Sequence, residues 1–87
     1  MTIEHSIVTN IDLESTDIAL FVQTLNNYSN NDVIIRKGEH RINAKSILGM
    51  YALEIQKDQE VHFMINGDDA VKIKSVIDDF FNNLKER

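Results

Sequence analysis

Two hydropathy periods alternate along this 87-residue chain, and their order constrains the fold more than any other feature. Val61, Phe63 and Ile65 alternate with His62, Met64 and Asn66, as in a strand with one buried face, and Asn66-Gly67 follows as a turn. Directly afterwards Ala70, Ile73, Val76, Ile77, Phe80 and Leu84 recur at helical spacing. That segment runs from an acidic start at Asp68 and Asp69 to a basic end at Lys85 and Arg87, so its charges match the dipole of an amphipathic helix. The same switch of period opens the chain. Ile3, His5 and Ile7 alternate with Glu4, Ser6 and Val8, and Asn10 to Glu14 reads as a polar connection. Ser15 or Thr16 can then cap a helix with Asp17 in its first turn, and Ile18, Phe21, Val22 and Leu25 form its buried stripe up to an end near Tyr28.

Between these two units Ser29-Asn30-Asn31-Asp32 forms a turn before the β-branched run Val33-Ile34-Ile35. Lys37-Gly38-Glu39 separates that run from a short strand around Arg41 and Ile42, which predicts a hairpin. Ile47 to Leu53 is too short to bury itself and reads as two helical turns capped by Ser46. The predicted order is β-α-β-β-α-β-α. An α+β open-faced sandwich satisfies every amphipathic stripe in it, with a four-stranded, largely antiparallel sheet carrying three helices on one face.

Composition narrows the function. With 43% hydrophobic residues the chain supports one core, so residues 1–87 are expected to form a single domain. The absence of cysteine excludes disulfides, thiolate metal sites and thiol catalysis. No apolar run reaches the roughly 18 residues of a membrane span, and Met1 to Asn10 lacks a signal-peptide layout, so a cytoplasmic protein is expected. A net charge of −5 argues against nucleic acid and anionic membranes as partners. Arg36, Lys37, His40, Arg41 and Lys45 gather around the hairpin, where such residues commonly serve solubility. His5 and His62 lie in strands and His40 near the hairpin. No two share helical metal-ligand spacing, so neither a metal nor another cofactor is expected.

The apolar residues of the second helix are more informative. Ile47, Leu48, Met50, Tyr51 and Leu53 point all round a helix that can bury one face, so Met50 and Leu53 are expected to pack inward while Ile47, Leu48 and Tyr51 face water. Thr16, Ala19, Leu20 and Gln23, opposite the buried stripe of the first helix, extend that surface into a candidate docking patch. Scattered surface hydrophobes or a weak homodimer contact are the alternatives.

The element order, together with Ala19-Leu20-Phe21-Val22-Gln23-Thr24 and Ile42-Asn43-Ala44-Lys45-Ser46-Ile47-Leu48-Gly49-Met50, resembles the HPr phosphocarrier family of the sugar phosphotransferase system and its catabolite-repression paralogue. The second string resembles the family's regulatory-serine motif. The resemblance implies phosphorylation of Ser46 by an HPr kinase, and docking of enzymes or a transcriptional regulator through the first two helices. It also implies a phosphoacceptor histidine at the start of the first helix, within a Gly-Ile-His-Ala-Arg-Pro-like string. Here Asp12-Leu13-Glu14-Ser15-Thr16-Asp17 aligns with that string, so Glu14 takes the histidine position, Thr16 the arginine and Asp17 the proline. The expectation is a non-enzymatic, HPr-like regulatory protein, with a phosphocarrier and an oligomerisation module as its rivals.

Overall fold

β4 (Glu60–Asn66) is the strand around which the sheet assembles. It pairs antiparallel with β1 (Thr2–Val8) on one side and with β2 (Asp32–Lys37) on the other. β2 continues antiparallel into β3 (His40–Asn43), giving the order β1-β4-β2-β3. The computed structural model describes residues 1–84. Three helices, α1 (Ser15–Leu25), α2 (Ile47–Leu53) and α3 (Ala70–Asn83), complete the predicted β-α-β-β-α-β-α order of an open-faced sandwich.

Strand register decides which side chains enter the core. Ile3 opposes Ile65, Val33 also opposes Ile65, and Ile35 opposes Phe63, so these residues share the face turned toward the helices. Phe21 of α1 sits over this face. Its ring lies 6.1 Å from Phe63 of β4 and 5.8 Å from Phe81 of α3, both near edge-to-face. Phe81 is a correction to the sequence reading, which placed Phe80 in the stripe. Ile73, Ile77 and Phe81 advance at i+4 along the buried line, whereas Phe80 is half-buried at the margin, 4.8 Å from Phe21. The expected basic helix end at Lys85 and Arg87 lies outside the described residues.

α1 ends at Leu25, earlier than the expected Tyr28. The side-chain amide of Asn26 donates to the Val22 carbonyl at 2.9 Å and competes for an acceptor of the last turn, and Tyr28 folds back to donate its N–H to Leu25.

Two polar junctions hold the layers in place. Asn31 is buried before β2: its Oδ1 accepts the Asp69 N–H at 3.0 Å, and its amide donates to the Ser29 carbonyl and to Asp69 Oδ2. Gly67, at φ +145°, makes room for it, since a Cβ there would lie 2.1 Å from Asn31 Oδ1. On the other flank His5 of β1 donates from Nε2 to Asp78 of α3 at 2.5 Å, and Lys74 joins the same carboxylate at 3.2 Å. Burial works to raise the Asp78 pKa, but the hydrogen bonds from His5 and Lys74 together outweigh it and hold the carboxyl below its ordinary value of 3.8.

Gly67→Ala is therefore expected to cost about 2 kcal/mol or more in urea unfolding, by crowding Asn31 out of its buried bonds. Asp78 binds its proton less tightly in the folded than in the unfolded state. Its contribution is thus complete at neutral pH and is lost as pH falls below about 4 through the folded value. In acid titrations of stability, Asp78→Asn should show a shallower decline over that window than the unaltered protein.

Candidate functional site

The start of α1 is built by carboxylates. Glu14 is the N-cap, with extended backbone, and forms a capping box with Asp17: the Glu14 side chain accepts the Asp17 N–H, and Asp17 Oδ2 accepts the Glu14 N–H at 2.9 Å. Ser15 and Thr16, the expected caps, lie inside the first turn instead. Two acidic groups answer the unpaired N–H donors and the positive helix end together, which a lone hydroxyl one position later does not.

The approach to this helix is pinned. Buried Thr9 exchanges backbone hydrogen bonds with Gln59 and Asp58, and its hydroxyl bonds the Gln56 carbonyl. The Leu13 N–H reaches the Ile55 carbonyl at 3.0 Å, and Asp12 Oδ1 accepts the Lys57 N–H at 2.8 Å. A groove of about 360 Å³ opens beside the helix start, between Asp12, Leu13, Ser15 and Ile18 on one side and Tyr51 and Gln56 on the other.

α2 begins as the sequence predicts. Ser46 is its N-cap, with Oγ accepting the Gly49 N–H at 3.2 Å. Gly49 allows the helix to lie close on β3, because a Cβ there would already stand 3.3 Å from Ile42 Cβ. Lys45 corrects the sequence reading of a solubility cluster. Its ammonium donates to the Tyr28 carbonyl at 2.7 Å and the Asn31 carbonyl at 2.6 Å, clamping the loop after α1 to the start of α2. Asn26 adds a bond to the Lys45 carbonyl, and the Tyr51 hydroxyl donates to the Ser15 carbonyl at 3.4 Å, so α2 lies alongside α1 at both ends. Nothing in the spacing of Lys45, Asn26 or Tyr51 marks these bonds, since each joins a side chain to a backbone carbonyl distant in sequence.

Met50 and Leu53 are buried, whereas Leu48 is 76% exposed and Ile47 and Tyr51 also reach the surface. On α1, Leu20 is 55% exposed, Thr16 and Gln23 are exposed, and Ala19 is half-buried, all along one helical line. Ser46 and Ile47, Leu48 and Tyr51 thus share one short helix, whose Tyr51 touches the first turn that carries Glu14 and Thr16. The histidines stand elsewhere. His5 is bound to Asp78, His62 bridges Ser6 and Glu60 on the opposite sheet face, and His40 is exposed at the start of β3. Among the described residues no cluster of three potential metal ligands occurs, and no helix is long and apolar enough to cross a membrane.

Known proteins share this fold. The family model described as "PTS HPr component phosphorylation site" matches residues 1–83. The chain belongs to the HPr family. It is 37% identical over 57 residues to the HPr-like protein Crh of Bacillus subtilis, a match that spans 66% of this chain and 66% of Crh. The structure of Crh, solved as a domain-swapped dimer, agrees with a TM-score of 0.72 at 28% identity, covering 88% of this chain and 85% of that one. The phosphocarrier protein HPr of Xylella fastidiosa is 31% identical over 83 residues, 93% of this chain and 92% of that protein. The HPr structure from Bacillus anthracis gives a TM-score of 0.85 at 26% identity, over 92% of this chain and 96% of that one. The chain is thus a phosphocarrier-like member of the HPr family, related to carrier and to HPr-like proteins.

The Ser46 cap can be separated from any modification of it. Ser46→Ala should lower stability by about 1 kcal/mol in denaturant unfolding, whereas Ser46→Asp, which keeps an acceptor at the N-cap, should stay within about 0.5 kcal/mol of the unaltered protein.

Proposed function

We propose that this protein is a regulatory, HPr-like binding module that passes no phosphate along the sugar-transport chain and catalyses no reaction. The observation that carries this reading is Glu14 at the N-cap of α1, in the place the family resemblance assigns to the phosphoacceptor histidine. A carboxylate can form an acyl phosphate, but this one is engaged in a capping box with Asp17 and has Asp12 two residues before it. An incoming phosphoryl group meets negative charge there, with Thr16 where the family string has arginine. His5 and His62 point from strands, and His40 lies on the hairpin, away from any helix start that would cradle a phosphate.

Regulation acts at Ser46 and recognition beside it. Thr16, Ala19, Leu20 and Gln23 of α1, with Ile47, Leu48 and Tyr51 of α2, form the docking surface for protein partners, an HPr kinase and a transcriptional regulator by family resemblance. Exposed apolar residues on two helices held side by side, in an acidic chain, support that role. A phosphate on Ser46 would sit at the positive end of α2, where the fold tolerates it, and would add about two negative charges next to Ile47 and Leu48. The protein works in the cytoplasm as one domain over residues 1–87, as a monomer or weak homodimer.

Intact mass after two incubations tests the reading, with a genuine HPr as control. Enzyme I with phosphoenolpyruvate should add nothing, whereas HPr kinase with ATP should add one phosphate that Ser46→Ala abolishes. Labelling from phosphoenolpyruvate would instead make the protein a carrier.

A further inference from the structure

The sheet face turned away from the helices carries a row of one residue per strand, Ser6, His62, Arg36 and Arg41. The register sets it: Ser6 opposes His62, His62 opposes Arg36, and Arg36 opposes Arg41. Two guanidinium groups directly across a ladder repel one another. The chain has 14 acidic residues with which to relieve that repulsion, yet the ion pairs among the described residues are His5–Asp78, His62–Glu60 and Lys74–Asp78. Neither arginine takes part. Arg36 donates to the Gly38 carbonyl at 3.0 Å, a neutral acceptor, and His62 is held in the row through Nδ1 by the Ser6 hydroxyl. The adjacent row is different in kind, with Glu4 on β1, Met64 on β4 and Ile34 on β2. Between the two rows lies a shallow cavity of about 350 Å³ lined by Glu4, Ile34, Arg36, Arg41, His62 and Met64 among others, within the range of about 300–1,000 Å³ typical of small-ligand sites.

We propose that this cavity binds a small phosphomonoester, its phosphate between Arg36 and Arg41 and its uncharged, hydroxylated body across Ile34 and Met64 toward Glu4. Charge selects the head group. Two facing guanidinium groups are compensated by a phosphate near −2 with three terminal oxygens, whereas a carboxylate leaves one of them unmatched. Glu4, on the far edge strand, accepts a hydroxyl and repels a second anionic group, so the site favours a monophosphate over a bisphosphate. The site stands apart from α1 and α2 and does not depend on the regulatory reading.

The test is an amide NMR titration of the full chain at fixed ionic strength with glucose 6-phosphate, glucose and a hexaglutamate peptide. Glucose 6-phosphate should produce saturable shifts around Arg36, Arg41 and His62, and glucose none. Arg41→Gln and, independently, Arg36→Gln should each weaken binding about tenfold or more. Because Arg41→Gln also relieves like-charge repulsion, its melting temperature without ligand should equal or exceed that of the unaltered protein. The proposal is overturned if glucose 6-phosphate gives no saturable shifts on this face, if both variants bind it unchanged, or if Arg41→Gln is less stable than the unaltered protein. Tighter binding of hexaglutamate than of glucose 6-phosphate would also overturn it and mark the face as an acidic-peptide surface.

Discussion

The packing of Phe21 against Phe63 and Phe81 is the contact on which the rest of the structure depends. One ring from α1 meets one from the central strand and one from α3, so a single aromatic cluster ties the first helix to the sheet and to the last helix. Such pairs add about 0.5–1.5 kcal/mol each beyond the apolar area they bury. Their greater effect is positional. With Phe21 fixed, Glu14 is held at the head of α1, Leu20 and Gln23 must face outward, and Tyr51 finds the Ser15 carbonyl within reach. The proposed docking face is thus the outer side of a helix whose inner side is locked by aromatic contact.

Element order, sheet membership and the inward or outward sense of the residues of β1 and β4 are legible in the sequence, because period 2 and period 3.6 differ enough to be read from a handful of positions. The misses share a cause. Phe80 and Phe81 are adjacent, and which of them completes a helical stripe depends on the path of α3 across a twisted sheet. The Glu14 cap is masked in the sequence by the hydroxyl residues that follow it directly, while its strength comes from the reciprocal bond to Asp17. Lys45 looked like surface charge because its acceptors are backbone carbonyls, which no residue type announces. For the candidate site, the exposure of Ile47, Leu48 and Tyr51 could be deduced from the short length of α2, but the bonds that set α2 beside α1 could not.

The two sides of the sheet follow opposite rules. Toward the helices, polar groups are few and paired: His5 with Asp78, and Asn31 with Asp69. Toward solvent, Arg36 and Arg41 face one another with no carboxylate between them. An anion from outside the chain would supply the missing charge, which the helix starts, already capped by Glu14 and Ser46, do not require.

The strand order has a kinetic consequence. Thr2 pairs with Asn66 and Val8 with Glu60, so the first strand has no sheet neighbour until β4 is available, and β2 likewise waits for β4 to give it a second one. Contacts so distant in sequence carry a loop-closure cost before they return anything, which slows folding. A chain halted before β4 contains the residues of α1 and α2 but lacks the Phe63 ring that packs on Phe21. Both proposed surfaces therefore wait for β4, which carries His62 and Met64 of one and the Phe63 support of the other, so a chain halted before it presents neither one in full.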